Sequence, residues 1–129
     1  MKKIIKIILL LMLSFPINFG KVLADEKIKI GLLIPLTGKN SEIGQSIVRS
    51  VRLAINKINN SSIEIIPKDT QSSPEVTLVA AKELASLGIK IIIGPVFNES
   101  LVYLDELNEI TFLALTNKND NFSKNIFNA

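Results

Sequence analysis

Cysteine, histidine and tryptophan are all missing from the 129 residues, and tyrosine occurs once. Their absence excludes disulfides, thiolate chemistry, a lipid-modified cysteine and the usual zinc ligand sets. It also removes the common acid–base and nucleophile constellations, leaving only serine, lysine or paired carboxylates. No serine sits in a nucleophile-elbow pattern, and no glycine-rich phosphate loop occurs. The expectation is a protein that is not an enzyme, with no cofactor and no metal site. A real excess of one charge is lacking too. Residues 1–24 hold four lysines and no acid, so the rest of the chain sets eleven basic residues against twelve acidic ones. The formal charge of +3 thus resides in the leader and gives no reason to expect nucleic-acid binding.

What is present begins with that leader. Lys2 and Lys3 precede an apolar stretch from Ile4 to Phe15, interrupted only by Lys6 and Ser14. Pro16 and Gly20 break a helix, and Val22-Leu23-Ala24 suits cleavage between Ala24 and Asp25. This reads as a secretory signal peptide over 1–24. The competing reading, an uncleaved anchor, fails on length, because the uninterrupted apolar core is about half of the ~20 residues a spanning helix needs. No stable membrane anchor is expected after cleavage, and the mature protein is expected in the periplasm.

The stretch Lys27 to Gly38, KIKIGLLIPLTG, opens the folded part. Lysine and isoleucine alternate and then give way to an apolar run to Ile34, as in a strand entering a sheet covered on both faces. Pro35 should end it, and Thr37-Gly38 supplies a turn. With Ser41 as N-cap, a helix follows whose stripe is Ile43, Ile47, Val48, Val51, Ala54, Ile55 and Ile58. Asn59 to Ser62 ends it. Ile63, Ile65 and Ile66 form a second strand closed by Pro67. Ser73-Pro74-Glu75 starts a second helix, with Val76, Val79, Ala80, Leu84 and Leu87 on one side and Gly88 past its end. Ile89–Ile93 is the third strand, Asn98 to Asn108 a third helix, Thr111–Leu115 a fourth strand, and Ile126-Phe127 the start of a fifth.

This alternation predicts an α/β fold, a parallel sheet with helices on both faces. Right-handed crossovers place the first strand between the second and third. The loops after the first and third strands then lie together at the carboxyl edge, near the topological switch point where such sheets bind ligands.

IGLLIPLTG, the Gly44-Gln45 helix, IIPKDT and LASLGIKIIIGPVF together resemble the amino-terminal lobe of type 1 periplasmic binding proteins. The pattern is similar to the leucine-binding protein domain and to penicillin-binding protein activators. The resemblance covers nearly all of 27–129 and makes 25–129 the first lobe of a two-lobed fold, apparently truncated. It implies capture of a small-molecule ligand, an amino acid or similar, for an ABC-type membrane transporter. The alternative it implies is a regulator that contacts a cell-wall synthase.

The same resemblance gives the expected ligand-binding residues: Leu36, Thr37 and Gly38 after the first strand, Phe97 and Asn98 after the third, Thr116 and Asn117 after the fourth. For Thr37-Gly38 a plain turn is the competing reading, and Asn98 is equally read as a helix N-cap. Asp69 is expected to organise its own loop. Glu99, Asp105, Glu106 and Glu109 read as a solvated helix face. Val96-Phe97-Asn98-Glu99-Ser100 departs from the serine-rich carboxylate grip of amino-acid-binding members, since Glu99 would repel an anion.

Overall fold

The computed structural model describes residues 27–116 and 124–129. The expected signal peptide over 1–24 with its expected cleavage site, and Asn117, lie outside them. Ile28–Ile34 (β1) begins exposed and is buried from Gly31 onward. It pairs in parallel with Ile63–Asp69 (β2) on one side and Ile91–Ile93 (β3) on the other. Thr111–Ala114 (β4) and Ile126–Asn128 (β5) complete a parallel sheet of order β2-β1-β3-β4-β5. The α/β fold and the place of β1 between β2 and β3 agree with the sequence reading. Pro67 does not close β2; the strand runs through it, with Pro67 in register with Leu32. Because β2 is an edge strand, the missing N–H of Pro67 can fall on the open side, where it breaks no ladder bond.

The connections are Ser41–Ile58 (α1), Pro74–Ser86 (α2), and a 3-10 turn over Asn98–Ser100 leading into Leu101–Leu104 (α3). The start of α2 follows the sequence signal: Ser73 caps it by accepting from the Val76 amide at 3.4 Å, and Pro74 sits in the first turn. The start of α1 does not. Its cap position is Asn40, not Ser41, and the Asn40 amide reaches Ser72 Oγ at 3.0 Å instead of capping the helix. The third helix is far shorter than the span to Asn108. Beyond Leu104, the Leu107 amide bonds to the Leu104 carbonyl and the Ile110 amide to Leu107. Leu101, Leu104, Leu107 and Ile110 recur every three residues, a spacing that successive tight turns serve as well as a helix does.

Packing is one-sided. Leu33, Ala81, Leu84, Ile92, Leu101, Leu104 and Phe112 form a core between the sheet and α2 with α3. On the other face, among the described residues, α1 lies alone over β1 and β2. There Ile47, Val48, Val51 and Ile55 are half-buried and Gly44 is the one fully buried residue of the helix. Ile43, Ala54 and Ile58, expected on the buried stripe, are exposed, as is Val79 of α2. The cause is geometric: a single helix over two strands offers no neighbour to the flanks of its stripe. A groove of about 230 Å³ remains between α1 and the sheet, lined by Leu32, Val51, Ile55, Ile63 and Ile65 among others. Farther across the same face Ile91, Leu113 and Phe127 stand exposed.

Strand alternation therefore separates neighbours sharply. Phe112 is fully buried, whereas Leu113 is 38% exposed. Phe112→Ala is expected to lower unfolding stability by about 3–5 kcal/mol and Leu113→Ala by less than about 1 kcal/mol, read from urea midpoints.

Candidate functional site

The carboxyl ends of β1, β2, β3 and β4 share one edge, and the loop after each starts there. Asp69, the last residue of β2, organises that edge. Its Oδ1 accepts from the amides of Leu36 (2.8 Å), Thr37 (3.3 Å) and Gln71 (2.9 Å), and its Oδ2 accepts from the Thr37 hydroxyl at 2.5 Å. The carboxylate thus ties the loop after β1 to the loop after β2. Burial pushes the Asp69 carboxyl up, but these bonds, led by the Thr37 hydroxyl, outweigh it and hold the group below its ordinary value. Thr37 and Gly38 are exposed at the loop tip and Leu36 is half-buried beneath them. The hydroxyl of Thr37, a residue the resemblance placed among the ligand-binding cleft loops, donates to Asp69.

Behind this loop α1 approaches closely. A Cβ at Gly44 would run into the Pro35 carbonyl, so only glycine lets the first turn of α1 rest on the end of β1. Gly94, at φ 104, plays a similar part at the end of β3, where a side chain would strike the Leu33 carbonyl. These contacts bring the loop after β3 alongside the loop after β1.

Phe97 and Asn98 occupy that second loop, both half-buried, with Asn98 Oδ1 enclosed. Phe97, not Asn98, stands at the cap position of the 3-10 turn, and no side chain caps it. Thr116 is buried just beyond β4, where the Leu115 amide bonds to the Pro95 carbonyl at 2.9 Å. Thr116 is thereby carried next to the β3 loop, whereas Asn117 falls outside the described residues. Glu99, Asp105, Glu106 and Glu109 are all exposed, with Glu106 paired to Lys82 at 2.6 Å. Among the described residues no group of acidic side chains converges as a metal site would require.

Sequence reasoning missed two polar ties. One is Asn40 with Ser72. The other is Thr77 with Ser100, both fully buried and 3.4 Å apart between hydroxyl oxygens. Thr77 lies on the inward face of α2 between Val76 and Ala80, and a hydroxyl interrupting an apolar stripe was the available signal.

Residues 27–129 match the family model described as periplasmic binding protein. The chain belongs to that family. No curated protein sequence matches it. Among solved structures, a solute-binding protein of an ABC transporter from R. palustris, in complex with 4-hydroxybenzoate, superposes with a TM-score of 0.72 at 18% identity over 79% of this chain. The leucine binding protein LivK of Thermotoga maritima gives 0.70 at 19% identity over 78%. The LpoA C-domain of Haemophilus influenzae, a regulator of PBP1A, gives 0.62 at 24% identity over 78%. At these identities the likeness is one of fold, and this chain spans only 31–32% of each of those chains. The fold is that of type 1 periplasmic binding proteins.

The Asp69 tie has a pH signature. A carboxyl whose value is lowered by folding adds stability above the unfolded value and loses it as pH falls through the folded one. Native stability should therefore fall on acidification below about pH 4, and Asp69→Asn should flatten that part of the profile. At neutral pH Asp69→Ala is expected to cost about 1–2 kcal/mol, since three amides and a hydroxyl lose their acceptor at a partly solvated site.

Proposed function

We propose that this chain, exported by its leader over 1–24, supplies the amino-terminal lobe of a periplasmic solute-binding protein that captures a small molecule, an amino acid or similar, for an ABC-type transporter. The observation that carries this reading is the adjacency of the loops after β1 and β3. The crossover from β1 runs to β2 on one side and that from β3 runs to β4 on the other, so a crevice opens between them at the carboxyl edge. Leu36, Thr37 and Gly38 border it on one side, with Phe97, Asn98 and Thr116 on the other. Asn117, outside the described residues, is read with them from its place next to Thr116 in the sequence. The family's members being binding proteins, the lobe is read as a ligand-binding surface and not as an enzyme.

Two ligand chemistries have support among the similar structures, a branched-chain amino acid and an aromatic carboxylate. Leu36 and Phe97 offer apolar contact to either. The second reading, a regulator contacting a cell-wall synthase, is favoured by one specific observation. Asp69 already engages the hydroxyl of Thr37 and the amides of Leu36 and Thr37, which leaves the first loop with few donors for a solute. The likeness to the LpoA C-domain adds to it.

Thermal unfolding against amino acids, aromatic acids and peptidoglycan fragments separates the two. A solute at a hundred times its dissociation constant should stabilise the native state by ~2.7 kcal/mol. Stabilisation by an amino acid or aromatic acid is the expected result. A cooperative melt unmoved by every small molecule, in a protein that co-sediments with a cell-wall synthase, would transfer the assignment to the regulator.

A further inference from the structure

Two buried hydroxyls outside the crevice join its parts. Thr77 Oγ1 donates to the Ser73 carbonyl at 2.7 Å, and Ser100 Oγ donates to Thr77 Oγ1 at 3.4 Å. Thr77 is 0% and Ser100 2% exposed, so each hydroxyl must find its partner inside the protein. Ser73 belongs to the loop that Asp69 begins: the Thr70 amide bonds to the Ile34 carbonyl and the Ser73 amide to the Thr70 carbonyl. Asp69 in turn holds Leu36 and Thr37. A continuous path of hydrogen bonds and short backbone links thus runs from the first loop through Asp69, Ser73, Thr77 and Ser100 to the turn that carries Asn98.

We infer that Thr77 and Ser100 are positioning residues, which fix the Phe97–Ser100 turn against α2 and so set where Phe97 and Asn98 meet a ligand. This rests on the reading of the carboxyl edge as a solute site. Neither residue reaches the crevice. The Thr77–Ser100 bond is long for two hydroxyls, so it contributes direction more than strength, and its loss should be felt locally.

Amide hydrogen exchange on the protein tests the inference without any ligand. The Ser100 amide bonds to the Phe97 carbonyl and the Leu101 amide to Asn98, so these two report on the turn. In Thr77→Val, which keeps the shape and removes the hydroxyl, their exchange should quicken by roughly threefold, less than the about tenfold of a full-strength buried hydrogen bond. The core amide of Phe112 should be unchanged. Ser100→Ala should reproduce the local effect and Thr77→Ser should reverse it. An equal change at every amide, or none at Ser100 and Leu101, would overturn the inference. A second arm uses L-leucine and 4-hydroxybenzoate as probes. Whichever stabilises the wild type should bind Thr77→Val several-fold more weakly and Thr77→Ser nearly normally. If neither probe stabilises the wild type, the solute reading fails, and the exchange rates alone decide whether the pair positions the turn.

Discussion

The arrangement of the carboxyl edge depends on one carboxylate. Asp69 ends an edge strand, yet it accepts hydrogen bonds from the loop after the neighbouring strand β1 and from its own loop at once. Backbone amides just past the end of a parallel strand have no ladder partner, and a surface loop leaves them to water. A charged acceptor placed between two such loops satisfies several together and makes the two move as one. In the proposed site these bonds would fix one wall and reduce what that wall can donate to a ligand. Rigidity and ligand chemistry compete for the same amides here.

The second constraint is the uneven cover of the sheet. One face carries a closed core against α2 and α3; among the described residues the other carries α1 alone, with a groove beneath it and Ile91, Leu113 and Phe127 open beyond. The consequence is an asymmetry of stability. Side chains turned toward α2 lock the strands in register, whereas their neighbours turned toward α1 contribute far less. The Phe97–Ser100 turn lies on the closed side, where Ser100 meets Thr77 of α2.

Much of this was legible in the residues because the signals are local. KIKIGLLI announces a strand that goes from exposed to buried, and Ser73-Pro74 starts a helix where capping chemistry requires it. The place of β1 between β2 and β3 followed from crossover handedness. What the pattern hid is relational. Ser41 looked like a cap because serine caps helices, but Asn40 holds that position and gives its side chain to Ser72, thirty-two residues away. Pro67 looked like a stop because proline leaves a ladder unpaired, a rule that relaxes on an edge strand. The apolar stripe of α1 promised deeper burial than one helix over two strands can give. At the site, the resemblance placed Thr37 and Asn98 among the ligand-binding loops, but the partner that takes the Thr37 hydroxyl lies at the end of another strand.

The central claim is that the loops after β1 and β3 form one ligand surface. An amide chemical-shift map during titration with L-leucine or 4-hydroxybenzoate tests it most directly. The account predicts saturable shifts at Leu36, Thr37 and Gly38 together with Phe97 and Asn98, and quiet signals at Ile28 and Lys90 on the opposite edge. Shifts confined to the groove beneath α1 or to the open face at Leu113 and Phe127, with both loops unmoved, would contradict it.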